Sequence, residues 1–215
     1  MIREEKEKKL ADIAEKVAKC TACSLYKQTT NPVPGEGNPE ARIMFIGEGP
    51  GFNEDQQGRP FVGQAGKLLE QLLRLIKLER QDVWIGNVVK HRPPGNREPQ
   101  PAEIEACRPF LDQQIKIINP EIIVTLGRFS MEKFFPNERI SQIHGRARYV
   151  DLAGERKTVI PMYHPAAALR NSAILEQIKK DFEKIPVFLS DQEVAEPVLP
   201  QEKQEEKKEK QMKLF

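Results

Sequence analysis

Ile43-Met44-Phe45-Ile46 runs directly into GEGPGFNEDQQGRPFVGQAGKLL, from Gly47 to Leu69, and together they read as strand, glycine-rich turn and helix. Four consecutive apolar residues closed by glycine and proline fit a strand covered on both faces. The turn leaves backbone N–H groups free beside a helix start, where an anion or a polar ring can be held. Gly47, Gly49 and Gly51 let the chain approach a ligand closely, and Pro50 stiffens the bend. Glu48, Asn53, Glu54 and Asp55 place acids and an amide there, and Phe61 adds an aromatic face. Leu68, Leu69, Leu72, Leu73 and Ile76 then recur at helical spacing, which predicts a helix over Ala65–Leu78.

Working outward, the same patterns predict further strands at Val83–Val89, Glu121–Leu126, Ile143–Val150 and Thr158–Met162. Helices are predicted over Arg3–Lys19 and Pro101–Ile118, with a short one opened by Gly127 and a last one from His164-Pro165 to about Glu183. Strands alternating with helices give an α/β fold: three layers, α/β/α, around a central and mostly parallel sheet. That domain spans residues 1–189. Residues 190–210 are charged and poor in apolar side chains, which predicts a disordered linker. Bulky apolar residues return only in the last five, 211–215.

A chain of 215 residues with 39% apolar side chains can bury one core. Charged residues make up 31%, yet the net charge is +2, so nucleic acid is neither demanded nor excluded by charge alone. No apolar run approaches the roughly 18 residues of a membrane span, and the charged start MIREEKEKKLADIAEKVAKC lacks the apolar core of a signal peptide. A cytoplasmic monomer is expected. Its three cysteines then read as ligands, a nucleophile or core filler rather than disulfides.

Two constellations carry chemistry. Cys20 and Cys23 form a C-x-x-C pair at a helix end, Cys107 lies early in the 101–118 helix, and His91 follows a strand nearby. A Cys₃His set suits tetrahedral zinc and also an iron–sulfur cluster, and composition does not choose between them. Such a site would staple the N-terminal helix to the domain and leave no position open for substrate. The second constellation gathers where four strand ends meet: Gly47–Phe61, Asn87–Arg97, Gly127–Arg128 and Tyr163–Arg170. Glu48, Phe61, Asn87 and His164 fall there, and an aromatic face, an amide and an imidazole can stack on and hydrogen-bond a planar heterocycle. Arg92, Arg97, Arg146, Arg148 and Arg170 lie on the surrounding loops, where they could contact phosphates or simply be solvated.

The strings GEGPGFNEDQQGRPFVGQAGKLL, GNVVKHRPPGNREPQPAEIEACRPFL and YHPAAALR resemble the family 4 uracil-DNA glycosylases, iron–sulfur members of the uracil-DNA glycosylase superfamily. The likeness covers roughly Leu10 to Leu189. It implies a DNA repair enzyme that flips uracil out of DNA and hydrolyses its N-glycosidic bond, giving free uracil and an abasic site. By match, Phe61 stacks on the base, Asn87 reads its N3–H and O4 edge, and Gly47 and Gly49 supply backbone contacts. His164 donates to O2, and Glu48 either holds the attacking water or stabilises the sugar cation. Leu169 and Arg170 sit where the family inserts a loop into DNA, with Arg92 and Arg97 beside them. Family 1 enzymes carry a catalytic Asp at the position of Gly49, so this chain lacks that base. Neither Lys67 nor Lys90 is marked as a Schiff-base nucleophile, which implies a monofunctional glycosylase.

The likeness also implies a 4Fe–4S cluster on Cys20, Cys23, His91 and Cys107, with zinc as the alternative. The family's usual cysteine in NVVKC is here His91. A metal-stapled, non-catalytic module that binds nucleic acid or a nucleotide, or a glycosylase shifted toward other deaminated bases, stands as the rival reading.

Gln211-Met212-Lys213-Leu214-Phe215 resembles the Q-x-x-L-F motif that binds the bacterial sliding clamp. A glutamine and two apolar anchors, Leu214 and Phe215, on a flexible tether can dock into a preformed groove. A linker of about 20 residues reaches some tens of Å. A chain ending at Lys210 is therefore expected to lose clamp binding in a surface-plasmon titration that full-length protein passes; equal affinities would remove the motif.

Overall fold

The computed structural model describes residues 1–152 and 154–190; the linker and the clamp motif with Gln211, Leu214 and Phe215 lie outside them. Helix α1 (Arg3–Ala18) and a short 3₁₀ turn lead to an edge strand, β1 (Glu36–Gly37). Strand β2 (Ile43–Gly47) is followed by α2 (Phe52–Gln57) and α3 (Gln64–Leu75). Strand β3 (Trp84–Asn87) leads to α4 (Pro101–Ile118), then β4 (Ile122–Leu126) and the short helices α5 (Arg128–Glu132) and α6 (Ile140–Ile143). Strands β5 (Arg148–Leu152) and β6 (Glu155–Met162) precede α7 (Pro165–Ala168), α8 (Ser172–Phe182) and α9 (Ile185–Ser190).

The sheet has six strands in the order β1-β3-β2-β4-β6-β5. The four inner strands are parallel, and β1 and β5 pair antiparallel at the two edges. Side chains alternate across it as strand geometry requires. Phe45, Val124 and Leu126 face α3 and α8, with Leu69, Leu72, Ile178 and Phe182. Met44, Ile46 and Ile123 face α1 and α4, with Ile13, Val17, Leu111 and Ile118. Both faces of β2 and β4 are covered, hence their unbroken apolar runs. The three layers are those expected. No helix among the described residues is long and apolar enough to cross a membrane.

Several boundaries differ from expectation. The strand expected at Ile143–Val150 begins at Arg148, because Ile140–Ile143 is a helical turn and Gly145 takes a left-handed φ of 66° against Asp181. The chain then forms a hairpin, and β6 reaches back to Glu155. The second strand ends at Asn87, although the N–H groups of Val88 and Val89 still bond the carbonyls of Gly47 and Glu48 at 3.0 and 3.1 Å. The last helix is broken after Ala168, where the Asn171 side chain accepts from the N–H groups of Ala173 and Ile174 and starts α8 afresh. Helix α2 interrupts the turn, and the two-residue β1 carries no periodic signal at all.

Phe182 is fully buried and stacks on Phe45 with ring centroids 5.7 Å apart, joining α8 to the central strand. Phe182→Ala should cost about 3–5 kcal/mol in chemical denaturation, the range for an emptied aromatic site.

Candidate active site

The carboxyl ends of β2, β3 and β6 open onto a cleft of about 370 Å³, while Gly127 and Arg128 after β4 do not line it. Glu48, Gly49, Phe61, Asn87, Arg97, His164 and Arg170 all line it. Gly47 forms its floor, since a Cβ there would lie 2.5 Å from Asn87 Oδ1 and 2.6 Å from Phe61 Cζ. Any side chain at 47 would fill the space beneath the ring and the amide. A Cβ at Gly49 would come within 2.7 Å of Val89 Cγ2, so an acid at this position would have to displace the valine.

Asn87 is 2% exposed, and its Oδ1 finds no hydrogen-bond partner among the described residues. Leaving a buried carbonyl unpaired costs on the order of 1–3 kcal/mol unless a ligand N–H satisfies it. His164 stands across the cleft, stacked on Phe61 with centroids 5.6 Å apart and planes at 26°. Burial pushes its imidazole down to about 4, with the Glu54 charge acting weakly the other way. The ring is therefore neutral near pH 7. Its Nδ1 accepts the Ala166 N–H at 3.1 Å, which leaves the proton on Nε2 as a donor. Glu48 is half-buried, and burial together with the Glu98 charge raises its carboxyl above the usual range, against the pull of Arg128.

The loop cations divide. Arg97 makes a two-pronged pair with the buried carboxylate of Glu103, at 2.6 and 2.9 Å, so its charge is already matched. Arg92 lies over the exposed Phe52 ring at 5.1 Å and donates to Asn96 at 2.7 Å. Leu169 is 51% exposed beside Arg170 at the mouth. Glu54 lines the cleft, and its Oε1 accepts from the N–H groups of Val62 and Gly63 at 2.9 and 2.8 Å. Sequence reading placed this acid in the turn without a role, because the backbone donors it accepts from leave no mark in residue types. Lys90 is wholly buried; its ammonium donates to the Asn87 carbonyl at 2.9 Å and to Gln114 Oε1 at 2.7 Å.

The cysteines share one corner between α1 and α4. Cys107 is buried and its Sγ accepts the Lys90 N–H at 3.2 Å. Burial pushes its thiol up to about 11, and the charges of Cys23 and Cys20 reach it. Cys23 is likewise raised, by burial first and by Glu103 and Cys20 after it. His91 is 3% exposed and adjoins Lys90 in the chain; burial pushes its imidazole down, with Asp55 opposing. Among the described residues no three such groups stand close enough to hold a single ion. Three thiols and an imidazole form a donor set that both zinc and an iron–sulfur cluster accept.

The sequence profile of the uracil DNA glycosylase superfamily matches residues 34–185. A type-4 uracil-DNA glycosylase of Sulfurisphaera tokodaii is 50% identical over 183 residues, covering 82% of this chain and 83% of its own. Those of Thermotoga maritima and Archaeoglobus fulgidus are 48% and 45% identical, each over 82% of this chain and more than nine-tenths of their own length. With the superfamily profile matching most of the chain and relatives 45–50% identical over about four-fifths of it, this chain belongs to the type-4 branch of the uracil-DNA glycosylase superfamily.

Proposed function

We infer that this protein removes uracil from DNA by hydrolysing the N-glycosidic bond, and that the buried carboxamide of Asn87, whose Oδ1 has no partner among the described residues, is the part that selects the base. Its Oδ1 would accept the uracil N3–H while Nδ2 donates to O4. Cytosine presents an unprotonated N3 and an amine to the same two atoms, so two hydrogen bonds become two mismatches. That discrimination is worth several kcal/mol, about two unmade bonds in a dry site. Phe61 supplies the stacking face, and Gly47 gives the base room to lie against it.

Bond breaking leaves its electron pair on uracil N1 and a positive charge on the sugar. The neutral His164 can donate its Nε2–H to uracil O2 as negative charge gathers there, and a preorganised donor is worth most at that moment. Water then adds to C1′ and gives up a proton, while the uracil anion gains one. Glu48, on the cleft wall, either orients that water or offsets the sugar charge, and both roles require its ionised form. Lys90 supports a monofunctional reaction, since its ammonium is wholly buried and held on the Asn87 carbonyl and Gln114 Oε1. The exposed Leu169 suits a wedge into the base stack, with Arg170 and Arg92 near phosphates; Arg97 fits a role in bracing that rim.

Cys20, Cys23, Cys107 and His91 fit a 4Fe–4S cluster, which would tie α1 and α4 to the loop leaving Asn87. When bound, the cluster would supply a structural cross-link rather than a reaction step. Recruitment to a sliding clamp through Gln211, Leu214 and Phe215 rests on the motif and its tether.

Wild-type protein should release uracil from U·G, U·A and single-stranded oligonucleotides without cutting the strand, and should leave cytosine intact. Asn87→Ala and His164→Ala should each lower single-turnover excision about 10²–10³-fold, the usual loss for a preorganised donor. No release from any uracil substrate would overturn the reading. The pH profile separates the two titrating groups. His164 titrates near 4 and stays neutral from pH 8 to 5. Glu48 titrates above the ordinary glutamate range, so activity should fall as pH drops through that raised value. Glu48→Gln should slow excision and flatten that limb, and ¹⁵N spectra should show His164 Nδ1 unprotonated at pH 6.

A further inference from the structure

Phe61 carries the stacking ring on a backbone with φ of +53°, in the left-handed region that bulky side chains rarely adopt. A strained residue persists only where its surroundings over-determine it. Here the peptides on both sides are gripped. Glu54 takes the N–H groups of Val62 and Gly63, and Arg80 takes the two preceding carbonyls: Nη2 donates to Pro60 O at 2.7 Å and Nη1 to Phe61 O at 2.9 Å. Helix α3 closes in from below, where a Cβ at Gly66 would overlap the Phe61 carbonyl. Arg80 is itself held, because Nη2 also donates to Glu36 Oε1 at 2.6 Å and its side chain is only 17% exposed.

Glu36 lies in β1, opposite Ile85 of β3, and β3 ends two residues later at Asn87. Arg80 begins the 3₁₀ turn that leads into the same strand. One strand thus fixes both the amide that reads the base and, through Glu36 and Arg80, the ring on which the base stacks.

We propose that Arg80, anchored by Glu36, is a positioning residue for uracil excision: it holds the Pro60–Phe61 carbonyls so that the Phe61 ring stays in register with Asn87. This rests on the uracil-site reading above. The planar guanidinium reaches two carbonyls and a carboxylate at once, which a lysine ammonium on a flexible stem does not reproduce. A plain stabilising ion pair would instead affect folding alone.

The test is a double-mutant cycle on the full chain, read by single-turnover release of uracil from a U·G duplex. Arg80→Lys should lower the rate about 10–100-fold while leaving affinity for a duplex carrying an abasic site within about twofold. In a Phe61→Ala background the same change should have under about a twofold effect, because the ring it positions is gone. Glu36→Gln should act in the same direction, more weakly, and serves the same cycle if Arg80→Lys does not fold. Wild-type rates in folded Arg80→Lys, an undiminished effect in the Phe61→Ala background, or an equal loss of abasic-duplex affinity would each overturn the proposal. Failure of wild-type protein to release uracil would instead remove the site reading on which it stands.

Discussion

Gly47 and Asn87 sit opposite one another where β2 and β3 pair in parallel, and the site depends on that register. The pairing brings the turn after one strand beside the amide ending the next, with no side chain between. Strand geometry has a period of two, so a slip of one residue would turn Asn87 into the helix layer and bring Val88 to the cleft. Buried apolar faces on both sides make such a slip costly. The hydrophobic layers that close the domain therefore also aim the carboxamide.

Around that register the electrostatics favour neutral donors and acceptors over free charge. The Asn87 oxygen is unpaired among the described residues, the imidazole is held neutral by burial, and Lys90 is turned inward onto a carbonyl and a glutamine. Arg97, at the rim, is matched by Glu103. On the reading proposed above, such a site would recognise a base by hydrogen-bond pattern and would meet developing negative charge with one oriented N–H. Charge able to meet phosphates is left to the outer loops, where water screens it.

The cysteine corner and the cleft are not independent. Lys90 gives its backbone N–H to Cys107 and its ammonium to the Asn87 carbonyl, and Gln114 passes the connection to Pro34 O at 2.7 Å. The strand end that carries Asn87 is thus tied to α4 from beneath. Its other side is tied through β1 to the Phe61 turn. Two braces, joined through Gln114 and Pro34, converge on the four residues of β3.

The strand–turn–helix at residues 43–69 and the strands at 84–87 and 122–126 were legible because their signals are local: apolar runs, helical spacing and glycine or proline at the breaks. The same local patterns, with the family likeness, picked out Glu48, Phe61, Asn87 and His164, which the fold brings to one cleft. Edges and interruptions were not legible, as β1 is two residues long and β5 was displaced by a helical turn and Gly145. Nor were the pairings that give the site its character. Arg80 meets Glu36 across 44 positions, Arg97 is withdrawn by Glu103, and the Ala166 N–H decides which imidazole nitrogen keeps its proton. Residue order determines which groups exist and which segments repeat with which period. Tertiary structure alone determines which distant groups face one another in a dry interior, where desolvation and a single hydrogen bond set charge and direction.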